Sequence, residues 1–458
     1  MQRFLRFHFG GWFSGALLPC AWLFAFSFGI EGEGIAQDFR VGASAVTFEA
    51  DDGMVIAGGI TAGKANGQEG ALRAVAVVLE HAPVQVAIVT LDVLMLTRQD
   101  LDPVLAEIER VTQIPSAHVL VNCTHTHHAP STVRVHDYGP DAVFTERVKR
   151  GLVESVRLAQ SRLAPSSLSF ALGKNDTVGQ NSRMLLDDGQ IYWIGPRTNV
   201  VRPTGPFDPD LPVFAFRDPA QNLQAVLFNH STHTIGVRTG GRRSPSIYGL
   251  AAQELEKQWG GVFSFLEGAS GSTHNLNLTG AECVTQIKAT VETALAQARP
   301  ARTTPLASRK RAVSFRVRTF DDAAEDAAVR RYVTKYAGPP HDEIIRKVFQ
   351  NMRRELSSQQ GQPRETWVQA MRIGDLALVG VPAEYFTQLG LDIKNRSPFR
   401  HTYVAELAND WIGYLPNLEG HKLGGYQVWT GYHSYAEPGT GERIAEVAVE
   451  LLKELARP

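Results

Sequence analysis

The stretch AHVLVNCTHTHHAPS, residues 117–131, places three histidines directly after a predicted buried strand. Residues 118–123 are short, apolar and β-branched, a pattern that predicts the strand. Loops at strand ends commonly carry the chemistry of α/β folds. On an extended backbone, His125 and His127 would share one face and His128 would point to the other. The first two could then serve as two metal ligands or as a ligand with an acid/base partner, and a polar loop with hydrogen-bonded rings is the alternative.

Strands and helices alternate on both sides of this stretch. Strands at 71–79 and 84–91 and an amphipathic helix at 99–113 precede it, so the order predicts a βαβ unit with a parallel strand pair. The alternation continues to a closing helix at 442–455, and no Pro/Ser-rich linker divides residues 38–458. We therefore predict a single large α/β domain with a mixed, largely parallel sheet flanked by helices.

One charged segment, residues 301–364, is expected to form a helical hairpin that covers one side of the sheet. Its positive and negative residues interleave, which is typical of a solvated face without a ligand site. Strands are predicted to resume at 367–373 and 376–381, joined by a tight turn at Gly374-Asp375.

Composition and charge narrow the function. Hydrophobic residues make up 43% of the 458 residues and charged residues 20%, as in ordinary globular proteins. The formal net charge is -1, so no long-range field favours nucleic acid. Cys123 lies in the predicted strand and Cys283 in a predicted helix, and we expect both to be buried free thiols.

Residues 1–36 differ from the rest of the chain. Arg3 and Arg6 precede an apolar run at 12–30, and a small-x-small end follows at 34–36. This pattern predicts a secretory signal peptide, cleaved near Ala36, and hence a secreted or periplasmic protein. A membrane anchor is the alternative, because nineteen residues could just span a bilayer.

Four predicted strand ends present groups that a divalent cation would accept. They belong to His125, His233, Glu384 and Tyr414. Histidine nitrogen combined with carboxylate oxygen is typical of zinc, and an open coordination position makes such a site catalytic. Zinc lowers the pKa of bound water from roughly 15.7 toward about 7, which supplies hydroxide at neutral pH. Taken separately, Glu384 could lie on the surface and Tyr414 in the core.

Several motifs resemble those of the neutral/alkaline ceramidase family, in particular its shorter bacterial members. Residues 124–130, THTHHAP, are similar to the family's THTH…GP motif, and residues 381–385, VPAEY, to its VPGEF segment. Residues 409–414, NDWIGY, resemble N-x-Y-x-x-Y. The resemblance runs from about Val41 to the end of the chain. It implies zinc bound by His125, Glu384, Tyr414 and a second histidine.

The resemblance also implies roles for other residues. His127 would lie beside the scissile amide, Arg183 in the segment Asn181-Ser182-Arg183 would face the substrate, and Tyr426 would be a second active-site tyrosine. The second histidine ligand is ambiguous between two positions. We assign it to His233, with His230 as the alternative.

One position departs from the family. Where ceramidases have their proposed serine nucleophile, this chain has His274, and the neighbouring Ser272 and Thr273 are out of place. A zinc-activated water needs no serine. In that scheme His127 or His274 transfers protons, while Arg183 and Tyr426 stabilise the oxyanion.

We therefore predict a secreted zinc-dependent hydrolase that cleaves an amide (N-acyl) bond of a small-molecule or lipid substrate. A sphingolipid-like substrate fits the resemblance, and aromatic residues near Trp411 and Trp429 permit an apolar groove and peripheral membrane contact. The alternatives are a zinc hydrolase acting on a non-lipid amide or ester, and a non-catalytic zinc-binding scaffold that lost the serine.

Overall fold

Three mixed β-sheets organise the chain in a computed structural model that describes residues 39–457. In each sheet, hairpins pair most strands antiparallel, and a helical crossover adds one parallel strand at an edge. The predicted signal peptide, residues 1–36, lies outside the described residues. None of the helices between residues 39 and 457 combines the length and the hydrophobicity that crossing a bilayer requires.

The first sheet carries the histidine stretch. Its strand order is β4-β3-β2-β1-β5, with bounds β1 Phe39–Thr47, β2 Arg73–His81, β3 Val84–Leu91, β4 Val119–Cys123 and β5 Ala164–Pro165. Helix α1 (Arg98–Thr112) links β3 to the parallel β4, so the predicted βαβ unit is confirmed. Apolar residues of α1 and α2 (Ala142–Ser161) pack on the outer face of this sheet.

The second sheet repeats this plan. Its order is β9-β8-β7-β6-β10, with bounds β6 Ser167–Lys174, β7 Asp210–Arg217, β8 Leu223–His230, β9 Val262–Glu267 and β10 Arg299–Pro300. Helix α3 (Ser246–Trp259) connects β8 to the parallel β9. It covers the outer face together with α4 (Gly280–Gln297).

The third sheet has the order β11-β12-β13-β14, with bounds β11 Leu306–Arg316, β12 Pro363–Ile373, β13 Leu376–Gly380 and β14 His401–Ala405. The predicted hairpin at Gly374-Asp375 joins β12 to β13. Helix α7 (Thr387–Arg396) leads from β13 to the parallel β14, and α9 (Thr440–Ala456) packs beside it.

The expected helical hairpin at 301–364 is partly wrong. Its first third forms β11, in which buried side chains lie two residues apart, Leu306 with Ser308 and Val313 with Phe315, on either side of the charged residues 309–311. Only α5 (Asp322–Tyr336) and α6 (His341–Leu356) form the hairpin. One face of it is buried in a cluster with aromatic residues, so it is not simply a solvated face.

The inner faces of the three sheets meet in one central core, to which all three contribute buried apolar side chains. The predicted α/β class, with mixed sheets flanked by helices, is confirmed. The expected predominance of parallel pairs is not found among residues 39–457, because hairpins, such as the one joining β2 to β3, force antiparallel pairing. Each of the three sheets contains one parallel strand pair, and these three pairs position the site.

Candidate metal centre

The four predicted ligands meet beyond the carboxyl ends of the parallel strands. His125 follows β4, His233 follows β8, Glu384 follows β13, and Tyr414 lies beyond β14. All four side chains are buried. Each crossover brings its parallel strand to a sheet edge, and strand ends at such edges are where α/β folds place ligands.

The ligand atoms lie within a few ångströms of one another. Glu384 Oε2 is 3.5 Å from His125 Nε2 and 3.4 Å from His233 Nε2. The Tyr414 hydroxyl lies 3.0 Å from His233 Nε2. Tetrahedral zinc with bonds of about 2.0–2.1 Å separates its ligand atoms by about 3.3 Å. The spacing of the two imidazoles and the carboxylate therefore suits one zinc ion.

Backbone carbonyls orient both imidazoles. Nδ1 of His125 donates to the Leu94 carbonyl at 3.1 Å, and Nδ1 of His233 donates to the Ser270 carbonyl at 2.9 Å. Because a carbonyl only accepts, each Nδ1 carries the proton and each neutral ring presents a bare Nε2 to the centre.

This arrangement fits a cation. The two bare Nε2 atoms and the Glu384 carboxylate are acceptors that face one another in a buried space. Acceptors at such distances repel unless a proton or a metal ion lies between them. Within residues 39–457, the ion-pair partners of Glu384 are these two histidines alone.

The histidine loop reaches the centre by a backbone kink. We expected an extended backbone, but His125 has a φ of 60°, in the left-handed region. His125 and His127 nevertheless come together, with Nε2 atoms 3.2 Å apart, and His128 accepts a hydrogen bond from Gly236 N outside the centre. Such strain in a non-glycine residue costs of order 1–3 kcal/mol and is typical of functional sites.

A short parallel ribbon sets the oxygen ligands side by side. Glu384 pairs in register with Tyr414, and Trp411 Nε1 donates to Glu384 Oε1 at 3.2 Å. Gly271 lies against the Glu384 backbone, where a Cβ atom would come within 2.5 Å of the Glu384 carbonyl oxygen. Burial and the charge of Glu384 raise the pKa of Tyr414 well above its ordinary value.

The structure places His233, and not His230, at the centre. Nδ1 of His230 lies 2.6 Å from the Tyr248 hydroxyl, and its Nε2 lies 3.0 Å from the Asn175 carbonyl oxygen. Both ring nitrogens are therefore committed away from the other ligands.

His127 gives the centre a third imidazole. Its nitrogen and those of His125 and His233 all lie within 4.8 Å of one another, so three histidines could also share a metal ion. Burial and these two rings lower the pKa of His127 well below its ordinary value. His127 therefore carries a neutral ring that can act either as a ligand or as a proton acceptor.

His274 lies over the centre. Its ring centroid is 4.1 Å from that of His233, and its backbone pairs with Gln180 in a two-residue ribbon. Burial and the proximity of His233 lower its pKa well below the ordinary value. The hydroxyl of Ser272, two residues before His274, is bonded to Thr387: it accepts from Thr387 N and donates to Thr387 Oγ1, both at 3.1 Å.

Tyr426 is anchored by a histidine that the sequence analysis missed. His136 Nδ1 donates to the Gly59 carbonyl at 2.9 Å, so its Nε2 accepts from the Tyr426 hydroxyl at 3.2 Å. The Tyr426 ring lies 6.0 Å from that of Tyr414. Its ring therefore borders the site while its hydroxyl proton points to His136.

Arg183 is buried but engaged elsewhere. Its guanidinium donates to Gln427 Oε1 at 2.7 Å and to the carbonyls of Gly420 and Gly424 at 3.2 and 2.6 Å. Burial lowers its pKa to about 9. These bonds hold the segment that carries Tyr426, and contact of Arg183 with a substrate stays a prediction.

Two residues behind His233 were also missed. Ser270 Oγ lies 3.2 Å from His233 Nδ1 and donates to Glu406 at 2.6 Å. Glu406 also accepts from Ser270 N at 2.9 Å and from Tyr385 N, next to Glu384, at 2.7 Å. Ser270 lies in the loop after a predicted strand, as Glu384 does, whereas Glu406 falls within a stretch predicted to be a strand and gave no such signal.

A cavity of 240 Å³ opens onto the centre. His127, His233, His274, Tyr414 and Tyr426 are among its lining residues. The rest of its lining is mainly apolar, from Ile60, Tyr192, Trp193, Ile194, Ile235 and Leu276. Four of the predicted catalytic and metal residues thus share one cavity with His233, and Arg183 lies behind its wall.

Two solved structures share this architecture. One is neutral ceramidase from Pseudomonas aeruginosa, with a TM-score of 0.70 and 20% identity over 92% of this chain and 74% of the other. The fold is that of neutral ceramidase. A ceramidase complexed with C2 agrees, with a TM-score of 0.69 and 18% identity over 92% of this chain and 75% of the other.

The ceramidase fold is the one that the sequence motifs predicted. No protein-family model matches the sequence, and no curated protein matches it. At identities of 20% and 18%, the comparison concerns the arrangement of the backbone. Activity and metal content have to be argued from the residues of this chain.

Proposed function

We propose that this protein is a zinc-dependent hydrolase that cleaves amide (N-acyl) bonds. The observation that carries the proposal is the convergence of two bare imidazole nitrogens, a buried carboxylate and a phenol at the floor of a cavity. The ceramidase fold of the chain supports the same reaction class.

His125, His233, Glu384 and Tyr414 would hold the zinc ion. When bound, zinc supplies Lewis acidity, which polarises a carbonyl and lowers the pKa of water. The protein's part is to fix these side chains, through the carbonyls of Leu94 and Ser270, before the metal arrives. Little reorganisation is then needed on binding.

His127 and His274 would move the protons. Both line the cavity, and both are neutral at pH 7 because burial lowers their pKa. His127 Nε2 lies 3.2 Å from His125 Nε2, so its ring reaches the centre, where it would accept a proton. His274 lies over His233, on the open side, and would relay the proton taken up by His127 to the leaving amine. Neither role requires a serine nucleophile.

Arg183 and Tyr426 would shape the oxyanion side. Arg183 holds the backbone at Gly420 and Gly424, and the Tyr426 hydroxyl is bonded to His136. A Tyr426 that turned from His136 toward the cavity could donate to a developing oxyanion. The proposal includes secretion, which the pattern of residues 1–36 favours.

Zinc content tests the metal centre. Purified protein should hold about one zinc per chain, and His125→Ala should lose most of it, because one of four ligands is gone. The matched control is His341→Ala, an exposed histidine at the start of α6, which should keep the zinc. Elemental analysis makes the measurement. Equal zinc in His125→Ala and the wild type would contradict the proposed site.

Turnover tests the reaction. N-acyl sphingosines, N-acyl amino acids, simple alkyl amides and esters should be screened with zinc-loaded protein. Hydrolysis of at least one amide, lost with a chelator and restored by zinc, is the expected result. Zinc binding without hydrolysis of any compound would instead identify a scaffold that lost catalysis, and cleavage of esters alone would identify an esterase.

A further inference from the structure

One short segment of chain, residues 192–197, which we name the strap, forms part of the wall of the cavity above the metal centre. Tyr192, Trp193 and Ile194 line the cavity. The Trp193 ring stacks on Tyr426 with a centroid distance of 4.4 Å and an interplanar angle of 2°. The strap thus continues the wall that Tyr426 begins.

Hydrogen bonds tie the strap down at both ends. At one end the Tyr332 hydroxyl accepts from Trp193 N at 2.7 Å and from Ile194 N at 3.1 Å, and it lies 2.8 Å from the Ile194 carbonyl. At the other end Arg197 donates to the Leu276 carbonyl at 2.8 Å and to Asn277 Oδ1 at 3.2 Å. The strap therefore bridges α5 and the loop after His274.

The cavity has a small volume and a lining without charged side chains. Its volume of 240 Å³ lies below the roughly 300–1,000 Å³ of pockets that hold drug-sized ligands. Among the described residues that line it, none is Lys, Arg, Asp or Glu. Its only ionisable side chains are histidines and tyrosines, and Glu384 lies behind them. Away from the proposed metal ion, the cavity wall offers a substrate carboxylate or ammonium no side chain of opposite charge, and burying an ion without one costs several kcal/mol.

We propose that the strap limits the substrate to a compact, uncharged amide, with only a short chain on either side of the scissile bond. This inference rests on the proposed function and makes it more specific. A long-chain lipid amide would have to displace Trp193 from Tyr426 and break the bonds of the strap to Tyr332. A compact amide keeps all of these contacts.

The test is a length series on zinc-loaded, full-length protein. Alkyl amides are lengthened from two to twelve carbons, first on the acyl side and then on the amine side, and kcat/KM is measured for each. We expect a fall of at least about tenfold along both series, and a fall of similar size when a carboxylate is added to a short amide. Values that hold or rise with length in either series would overturn the proposal.

Variants connect the limit to the strap. Trp193→Ala should raise kcat/KM for the longest amide relative to the shortest at least about tenfold, by removing the stacked wall. Tyr332→Phe keeps the ring in place but loses the hydroxyl that holds the strap, and it should shift the ratio in the same direction. Trp259→Ala, an exposed tryptophan on α3, is the control and should leave the ratio unchanged. If the ratio of kcat/KM for the longest and the shortest amide is unchanged in both strap variants, the strap does not cause the size limit.

Binding separates this proposal from the proposed function. The same amides can be titrated calorimetrically into zinc-loaded protein, where the heat reports occupancy of the cavity without turnover. Short amides that bind but are not hydrolysed would contradict the hydrolase and leave the size limit supported. Long amides that bind more tightly than short ones would contradict the size limit, whether or not hydrolysis occurs.

Discussion

Glu406 does not line the cavity, yet its carboxylate supports the metal centre from two directions. Through Ser270 it reaches the imidazole of His233, and through Tyr385 N it fixes the backbone next to Glu384. Two ligands from different sheets therefore depend on one buried side chain. Partners of metal ligands commonly matter at this level, because they set ring orientation and ligand basicity.

We expect Glu406→Gln to weaken zinc binding about 10–100-fold. The amide has one acceptor oxygen where the carboxylate has two, so an NH₂ group would face Ser270 or Tyr385 N. Zinc affinity is measured by competition with a chromophoric chelator, and circular dichroism checks the fold. Glu419→Gln, an exposed residue of the short helix α8 (Leu418–Leu423), is the control. An unchanged affinity in Glu406→Gln would show that Ser270 orients His233 without it.

Among single residues, the sequence predicted the proposed metal ligands better than the residues that support them by hydrogen bonding or stacking. His125 and Glu384 stood out because each follows a predicted apolar strand and lies in a motif. The sequence analysis assigned the second histidine to His233 and kept His230 as the alternative, since both lie at the end of the same strand, and in the structure the hydrogen bonds of the two rings distinguish them. The stacking of Trp193 on Tyr426 joins distant residues, and no local pattern predicts it.

At the scale of elements, helix α7 depends on a side chain from another sheet. Its N-cap residue, Phe386, offers no side-chain acceptor, and Thr387 N is bonded by Ser272 instead. This contact couples the loop after β9 to the helix that follows Glu384. It gives Ser272 a structural role.

Ser272→Ala should therefore lower stability by about 1–2 kcal/mol, because Thr387 N loses its buried partner. More than half of the activity should remain, since the hydroxyl does not reach the centre. Chemical denaturation and steady-state kinetics give the two numbers. Ser161→Ala, an exposed serine at the end of α2, should change stability by no more than about 0.5 kcal/mol. Near-complete loss of activity at full zinc content would restore a serine mechanism.

The loop around Gly58 supports His127 from the cavity side. A Cβ atom at Gly58 would lie 2.1 Å from His127 Nδ1, and the φ of 94° is itself unfavourable for other residues. Gly53 has nearly the same φ, 95°, but open space around it. Alanine substitutions at Gly58 and Gly53 therefore share the backbone strain, but only the one at Gly58 also clashes with His127.

Gly58→Ala should reduce kcat about 100-fold, because displacing a catalytic group by about 1 Å is known to cost that much. Gly53→Ala should be destabilised by a similar amount, because its backbone also lies in the left-handed region, but its kcat should not change. Elemental analysis adds a second result. If Gly58→Ala retains its zinc, the result supports a role of His127 as a proton acceptor. If Gly58→Ala loses zinc while Gly53→Ala retains it, His127 would be a metal ligand.

Element prediction succeeded wherever hydrophobic periodicity was strong. Helix α1, helix α9 and the hairpin of β12 and β13 lie close to their predicted positions. It failed at β11, where six of eleven residues are polar or charged and the buried positions are seen only as an alternation. The direction of strand pairing failed too, because hairpins outnumber crossovers.

At the scale of the whole molecule, the metal centre joins three separately built layers. Each sheet has its own outer core with two helices, and each contributes ligands through one parallel strand pair. A zinc ion bound by His125, His233 and Glu384 would link all three. The fold class could be predicted because the strands and helices of each layer have a local hydrophobic pattern. The packing of the three layers against one another could not be predicted, because it depends on contacts between distant residues.

Metal removal should therefore lower global stability. A ligand that binds only the folded state stabilises it by about 2.7 kcal/mol at a free concentration of one hundred times Kd. We expect the melting temperature to fall when EDTA is added and to recover with zinc. His125→Ala, which lacks a ligand, should respond little to either. A wild type whose melting temperature ignores EDTA would show that the layers hold together without the metal.

The distance in sequence between His125 and Tyr414 has a consequence for biosynthesis. The chain emerges from the ribosome from its N-terminus, so the first imidazole is made long before the phenol of the same proposed ligand set. A nascent or C-terminally truncated chain holds an incomplete coordination shell. If the centre binds zinc as proposed, loading of the complete site would follow near the end of translation, and zinc retained through purification would mark a chain that has reached its final form.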